Sequence, residues 1–166
     1  MCMYKIDDVV VYRRNVCRVV GQCTSDLTGE ECYILEPYST QDGSTRMKVP
    51  VANKGGHLRD LITREEIDRL IGRYHLIECL ENKPANMKSQ YAALLKGDEP
   101  EELMRIIKTS YLRNKERLES HKKLASIDGE YMHKAEQYLF EEFAVALETT
   151  FDQAKDYFVK QLDKIQ

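Results

Sequence analysis

Apolar and polar positions follow two different rhythms along this chain. Up to about residue 60 the apolar residues come in short, β-branched runs; beyond Thr63 they recur at helical spacing almost to the end. Val9-Val10-Val11-Tyr12 and Val16-Cys17-Arg18-Val19-Val20 read as two strands joined tightly through Arg13-Arg14-Asn15. Asp26-Leu27-Thr28-Gly29-Glu30 is a turn signal, with Gly29 free to take positive φ. Glu31-Cys32-Tyr33-Ile34-Leu35 follows as a third strand. Gln41-Asp42-Gly43-Ser44 is a second turn, and Thr45 to Val51 forms a fourth strand. In that strand Met47 and Val49 share one face, while Arg46, Lys48 and Pro50 share the other. Pro50 has no N–H to give a ladder, so the strand ends there or lies at a sheet edge. An edge strand with an outward cation either recruits a partner strand or merely guards the edge against aggregation.

The helical rhythm begins at Thr63-Arg64-Glu65-Glu66, a capping box with Ile67, Leu70 and Ile71 behind it. Gly72 and Lys83-Pro84-Ala85-Asn86 interrupt it. Met87, Tyr91, Leu94 and Leu95 then mark a second helix. Gly97-Asp98-Glu99-Pro100 separates it from a third, with Asp98 the expected N-cap. Leu103, Ile106, Ile107 and Leu118 fall on one face of the third helix, and Arg105, Lys108, Lys115 and Lys122 near the opposite one. Ser126 to Gly129 reads as the next break. Tyr138, Leu139, Val145 and Ala146 give a fourth helix its stripe. Thr150 and Gln153 fit a capping box that starts a fifth, lined by Phe151, Ala154, Phe158 and Leu162. The pattern predicts a small β-domain over residues 1–61 and a compact bundle of about five helices over 62–166.

The chain has 166 residues and a net charge of −3, and the charge is unevenly placed. Arg105 to Lys123 carries seven basic residues against two acidic, whereas Asp128 to Gln166 carries four against nine. Cations held on one rigid helix face either stay solvated or neutralise successive phosphates without sequence preference. Five cysteines (Cys2, Cys17, Cys23, Cys32, Cys79) contain no C-x-x-C pair, which argues against a disulfide framework or a zinc site and for small buried hydrophobes. His57, His75, His121 and His133 are scattered, no nucleophile elbow or P-loop occurs, and Glu141-Glu142 reads as a solvated pair. The expectation is a non-enzymatic protein without a cofactor. No apolar run nears the roughly 20 residues needed to cross a bilayer, and the first residues lack a signal-peptide core, so a cytoplasmic location is expected.

Val10-Val11-Tyr12, Tyr33-Ile34-Leu35, Val49-Pro50-Val51 with Leu58-Arg59-Asp60, and the segment from Asn86 to Gly97 together resemble the CarD/CdnL family of bacterial transcription regulators. The resemblance runs from about Tyr4 to the last helix. It implies a Tudor-like N-terminal β-barrel, shared with transcription-repair coupling factors, that docks on the lobe of the RNA polymerase β subunit by strand pairing. It also implies a helical domain that contacts promoter DNA near the upstream edge of the bubble and stabilises the open complex.

Carried over by position, the polymerase-binding strand is Arg46, Met47, Lys48, Val49 and Pro50, with Lys48 matching a basic residue of the family. Ser25 stands where the family has a second cation. Asn86, Met87, Lys88 and Lys96 fall in the DNA-contacting segment, joined by the basic face of Arg105, Lys108, Lys115 and Lys122. Many members follow the matching asparagine with a tryptophan that wedges into the minor groove. This chain has no tryptophan, and Met87 takes that place. Met87 is either a weaker wedge or a buried partner of Tyr91. The functional expectation is a monomeric transcription regulator of this type; the alternative is a polymerase-binding adaptor with little or no DNA contact.

Overall fold

The computed structural model describes residues 3–40 and 42–165. Cys2, and Gln41 at the head of the second turn signal, lie outside the described residues. The chain divides into two compact units, Met1–Leu61 and Ile62–Gln166. The first holds an antiparallel sheet and the second a set of helices, so the class is α+β.

Five strands form the sheet: β1 (Val9–Tyr12), β2 (Asn15–Thr24), β3 (Glu31–Pro37), β4 (Met47–Pro50) and β5 (Leu58–Asp60). Their order is β4-β3-β2-β1-β5, antiparallel throughout. The ladder does not close. β4 and β5 are its two edges, where a barrel was expected.

Tyr12 pairs with Asn15, which leaves Arg13-Arg14 as a two-residue loop with φ of 47° and 75°. Both residues take the left-handed form that matches a hairpin's twist. The register between β2 and β3 slips between Val19 and Gly21, a bulge that bends and twists the strand. Val10, Cys17, Val19, Tyr33, Leu35, Val49 and Leu58 form the core on one face. Tyr4 closes that face, edge-on to Tyr33 with ring centres 5.6 Å apart.

The second unit contains α1 (Arg64–Gly72), α2 (Met87–Leu95), α3 (Pro100–Glu119), α4 (Ser126–Ala146) and α5 (Phe151–Lys164). Short 3-10 turns lie at Tyr74–Leu76 and Pro84–Asn86. Two capping boxes were legible in the sequence, and both Thr63 and Thr150 cap their helices, each hydroxyl accepting from a backbone N–H at 3.2 Å. α3 packs along α4 and α4 along α5. Phe140 anchors the core, with the rings of Phe143, Phe151 and Phe158 at 6.1, 5.9 and 5.3 Å.

The helices depart from the sequence pattern at several points. The N-cap of α3 is Glu99, not Asp98, because Pro100 at the first helical position holds the residue before it extended. Helix α4 begins at Ser126, so the break precedes that residue and Gly129 lies in the first turn. Leu118 is 61% exposed, since the last turns of α3 bring it to no core. Glu142 is buried, accepting the backbone N–H of Ile62 at 3.0 Å, and is no solvated residue. Among the described residues no helix is long and apolar enough to cross a membrane.

Candidate functional site

In the β-unit the question is which sheet edge can accept another strand. The backbone N–H of Val51 donates to Glu31 O at 2.9 Å, which makes that pair a hydrogen-bonded one. In an antiparallel ladder such pairs alternate. Val49 and Met47 therefore also bond to β3, through their partners Tyr33 and Leu35. The N–H and C=O of Lys48 face the other way, out of the sheet, and its side chain stands exposed on the outer face beside Ile34. Met47 and Val49 turn to the core and Arg46, Lys48 and Pro50 to solvent, in the alternation read from the sequence.

The opposite edge is different. The N–H of Arg13 donates to His57 O at 3.2 Å, so the main-chain groups of Leu58 in β5 point away from β1. Both are taken by one side chain. Asn53, held at φ 49°, donates from Nδ2 to Leu58 O at 2.8 Å and accepts Leu58 N–H on Oδ1 at 3.1 Å. The Asp60 carbonyl accepts from Arg59 Nη1 at 3.1 Å. One edge is thus stoppered by the chain's own groups, while β4 presents Lys48 with no such stopper among the described residues.

In the helical unit the expected DNA-contacting residues are dispersed. Met87 is fully buried in the core beside Tyr91, so the wedge reading gives way to the core reading. Arg105 and Lys108 are drawn inward to carbonyls. Arg105 Nε donates to Glu78 O at 2.8 Å. Lys108 Nζ donates to Ile77 O at 2.7 Å, Tyr74 O at 3.0 Å and His75 O at 3.4 Å, over the Tyr74 ring. These two cations satisfy carbonyls in and just after the 3-10 turn at Tyr74–Leu76, and the uniform basic face does not form. Asn86, Lys88, Lys96 and Lys115 are exposed. Lys122 lies past the end of α3, set by a left-handed His121 (φ 56°) and its own N–H on Arg117 O at 2.7 Å.

What the fold does bring together is a cleft of about 190 Å3 between the segment leading into α2 and the C-terminal half of α3. Asn82, Pro84, Arg113, Arg117, Ser120 and Lys122 line it, with Glu116. Arg113 is its fixed wall. Only 8% of its side chain is exposed, Nε donates to Asp128 Oδ1 at 2.9 Å, and Nη1 donates to Asn82 Oδ1. Asp128, in the first turn of α4, also accepts the Tyr91 hydroxyl at 2.6 Å, and the hydroxyl of Ser110 donates onward to Ile106 O at 2.7 Å. Burial and the bond to Asp128 hold the Tyr91 phenol well above its ordinary pKa, so it stays a donor. Asp128 Oδ2 is buried with no hydrogen-bond partner among the described residues.

Three cations of this wall stand against the carboxylates of Glu116 and Asp128, and the adjacent end of α3 is the negative one. The cleft can therefore attract a single phosphate-type group, but weakly. The sequence showed the cation cluster that contains Arg113 and Arg117 but not the roles of Asn82, Ser120 or Asp128, which depend on chain segments far apart in sequence. Among the described residues no group of three or more His, Cys, Asp or Glu is placed to hold a metal ion. Comparison of the chain with protein-family models and with curated proteins gives no match.

Proposed function

We propose that the β-unit is a Tudor-like docking module of the CarD type, which takes a strand of the bacterial RNA polymerase β subunit onto β4. The observation that carries this is the asymmetry of the two edges: β5 is stoppered by Asn53, and β4 offers the N–H and C=O of Lys48 outward. Main-chain bonds would give affinity, and the exposed Lys48 and Arg46 side chains would select an acidic partner surface. The helical unit would then lay its cleft and the exposed Lys88, Lys96 and Lys115 against promoter DNA. Preferential binding to the open complex would shift the closed–open equilibrium by the difference in affinity. Tethering by the docked β-unit lets each phosphate contact be weak.

The burial of Met87 and the inward commitment of Arg105 and Lys108 favour a second reading, an adaptor that docks on polymerase and touches DNA little. The test is co-elution of the full chain with a polymerase β-lobe fragment. Lys48→Pro removes the outward N–H and Lys48→Glu reverses the charge. Each should weaken binding at least tenfold, about 1.4 kcal/mol, with circular dichroism unchanged. Binding retained by both variants would exclude β4 as the docking edge. Normal polymerase binding with no change in open-complex lifetime would select the adaptor.

A further inference from the structure

The sheet places two of its cysteines directly opposite one another. Cys23 of β2 and Cys32 of β3 are register partners beyond the bulge. Two rungs out, beyond Thr24 and Glu31, Ser25 N–H donates to Glu30 O at 2.8 Å, which makes Cys23 and Cys32 a hydrogen-bonded pair by alternation. Opposed residues share a face, and theirs is the outer one, away from Tyr33 and Leu35. Cα atoms of such a pair lie about 5.5 Å apart, inside the range a disulfide spans. Their Cβ atoms sit up to about 1 Å wider than a relaxed disulfide prefers, so a bridge here would be strained and easily reduced.

Exposure differs between the two thiols. Cys32 is 4% exposed and covered, while Cys23 is half-buried and reachable. Cys17, fully buried in the sheet core, is a contrast: burial pushes its thiol up to about 11, which keeps it protonated and inert. Cys79 is exposed and belongs to the helical unit. Cys23 and Cys32 are the one register-paired set among the described cysteines.

We propose that Cys23 and Cys32 form a reversible thiol–disulfide site that exchanges with a low-molecular-weight disulfide of the glutathione type. The Cys23 thiolate attacks one sulfur of that disulfide, making a mixed disulfide and releasing one thiolate. The Cys32 thiolate then attacks the Cys23 sulfur, closing the protein bridge and releasing the second. The two protein thiols lose two protons and two electrons, and the small disulfide becomes two thiols. The strain of the pair makes the bridge readily reduced again by excess small thiol. The bridge would fasten the β2–β3 hairpin one strand away from β4, where Pro50 lies opposite Cys32.

The test equilibrates the full chain in mixtures of reduced and oxidised glutathione, quenches with acid, alkylates and maps by mass. Cleavage after Glu30 and Glu31 separates the two cysteines, so a bridge appears as two joined peptides lighter by two hydrogen atoms. The expected result is a Cys23–Cys32 link that appears as oxidised glutathione increases and disappears on adding reduced glutathione. Cys32→Ser should instead stop at a glutathione adduct on Cys23. Adducts at Cys23 or Cys79 alone in the wild-type chain, with no internal link at any ratio, would overturn the proposal. None of these readouts involves polymerase, so this result and the docking result stand or fall separately.

Discussion

Met87 fills the centre of the helical core, with Gln90 Nε2 3.5 Å from its sulfur and Tyr91 one turn on. Truncating it to alanine should cost about 2–5 kcal/mol, the usual range for a fully buried methionine. Urea denaturation reads that loss, and promoter assays on the folded fraction should show no separate defect. A Met87→Ala protein of normal stability with a shortened open complex would restore the wedge. The Arg113–Asp128 pair makes a second residue-level prediction. Asp128→Ala leaves a buried guanidinium without its carboxylate and should cost about 3–5 kcal/mol. Replacing both residues by apolar ones of similar size should recover most of that in the same urea assay; if the double variant is as unstable as the single, the pair is not the source of the loss.

At the scale of elements, the starts of α1 and α5 were legible, because a cap is a local contract between residues three apart. Thr63 with Glu66 and Thr150 with Gln153 needed nothing else. The starts of α3 and α4, by contrast, fall one to a few residues away from where the sequence puts them. The ends of α3 and α4 also carry strain the sequence does not advertise. Glu148 closes α4 at φ 54°, with Thr149 N–H on Ala144 O at 2.9 Å. Glycine takes that conformation freely, so Glu148→Gly should stabilise the protein by about 1 kcal/mol, read as a higher urea midpoint. A lower midpoint would mean that the glutamate side chain outweighs its backbone cost.

Strand β5 was missed because Leu58-Arg59-Asp60 is too short to show alternation; it is a strand only because β1 has an edge to pair. The cations of α3 failed as a guide for a related reason. Periodicity places Arg105 and Lys108 on a face, but the carbonyls of residues 74–78 decide where they point. Met87 was ambiguous for the same cause: a wedge and a core methionine have one sequence signature, and only its neighbours distinguish them.

On the scale of the whole molecule, each unit carries a core of its own. The β-unit of 61 residues is near the size at which a single core is marginal, and at its β4 edge the main-chain groups of Lys48 have no partner among the described residues. A strand added to β4 would extend that core sheet and satisfy main-chain groups now left to water. Charge also differs between the units: residues 1–61 are balanced, eight against eight, while the helical part separates a basic stretch from an acidic end. The proposed docking on one unit and weak phosphate contact on the other would fit that layout. The measurement that reaches the central claim most directly is amide hydrogen exchange at Lys48, with and without a polymerase β-lobe fragment. Strand addition predicts that the Lys48 N–H, fast in the free protein, becomes protected in the complex while Leu58, already bonded to Asn53, changes little. A complex that forms while the Lys48 amide still exchanges fast would contradict docking through β4.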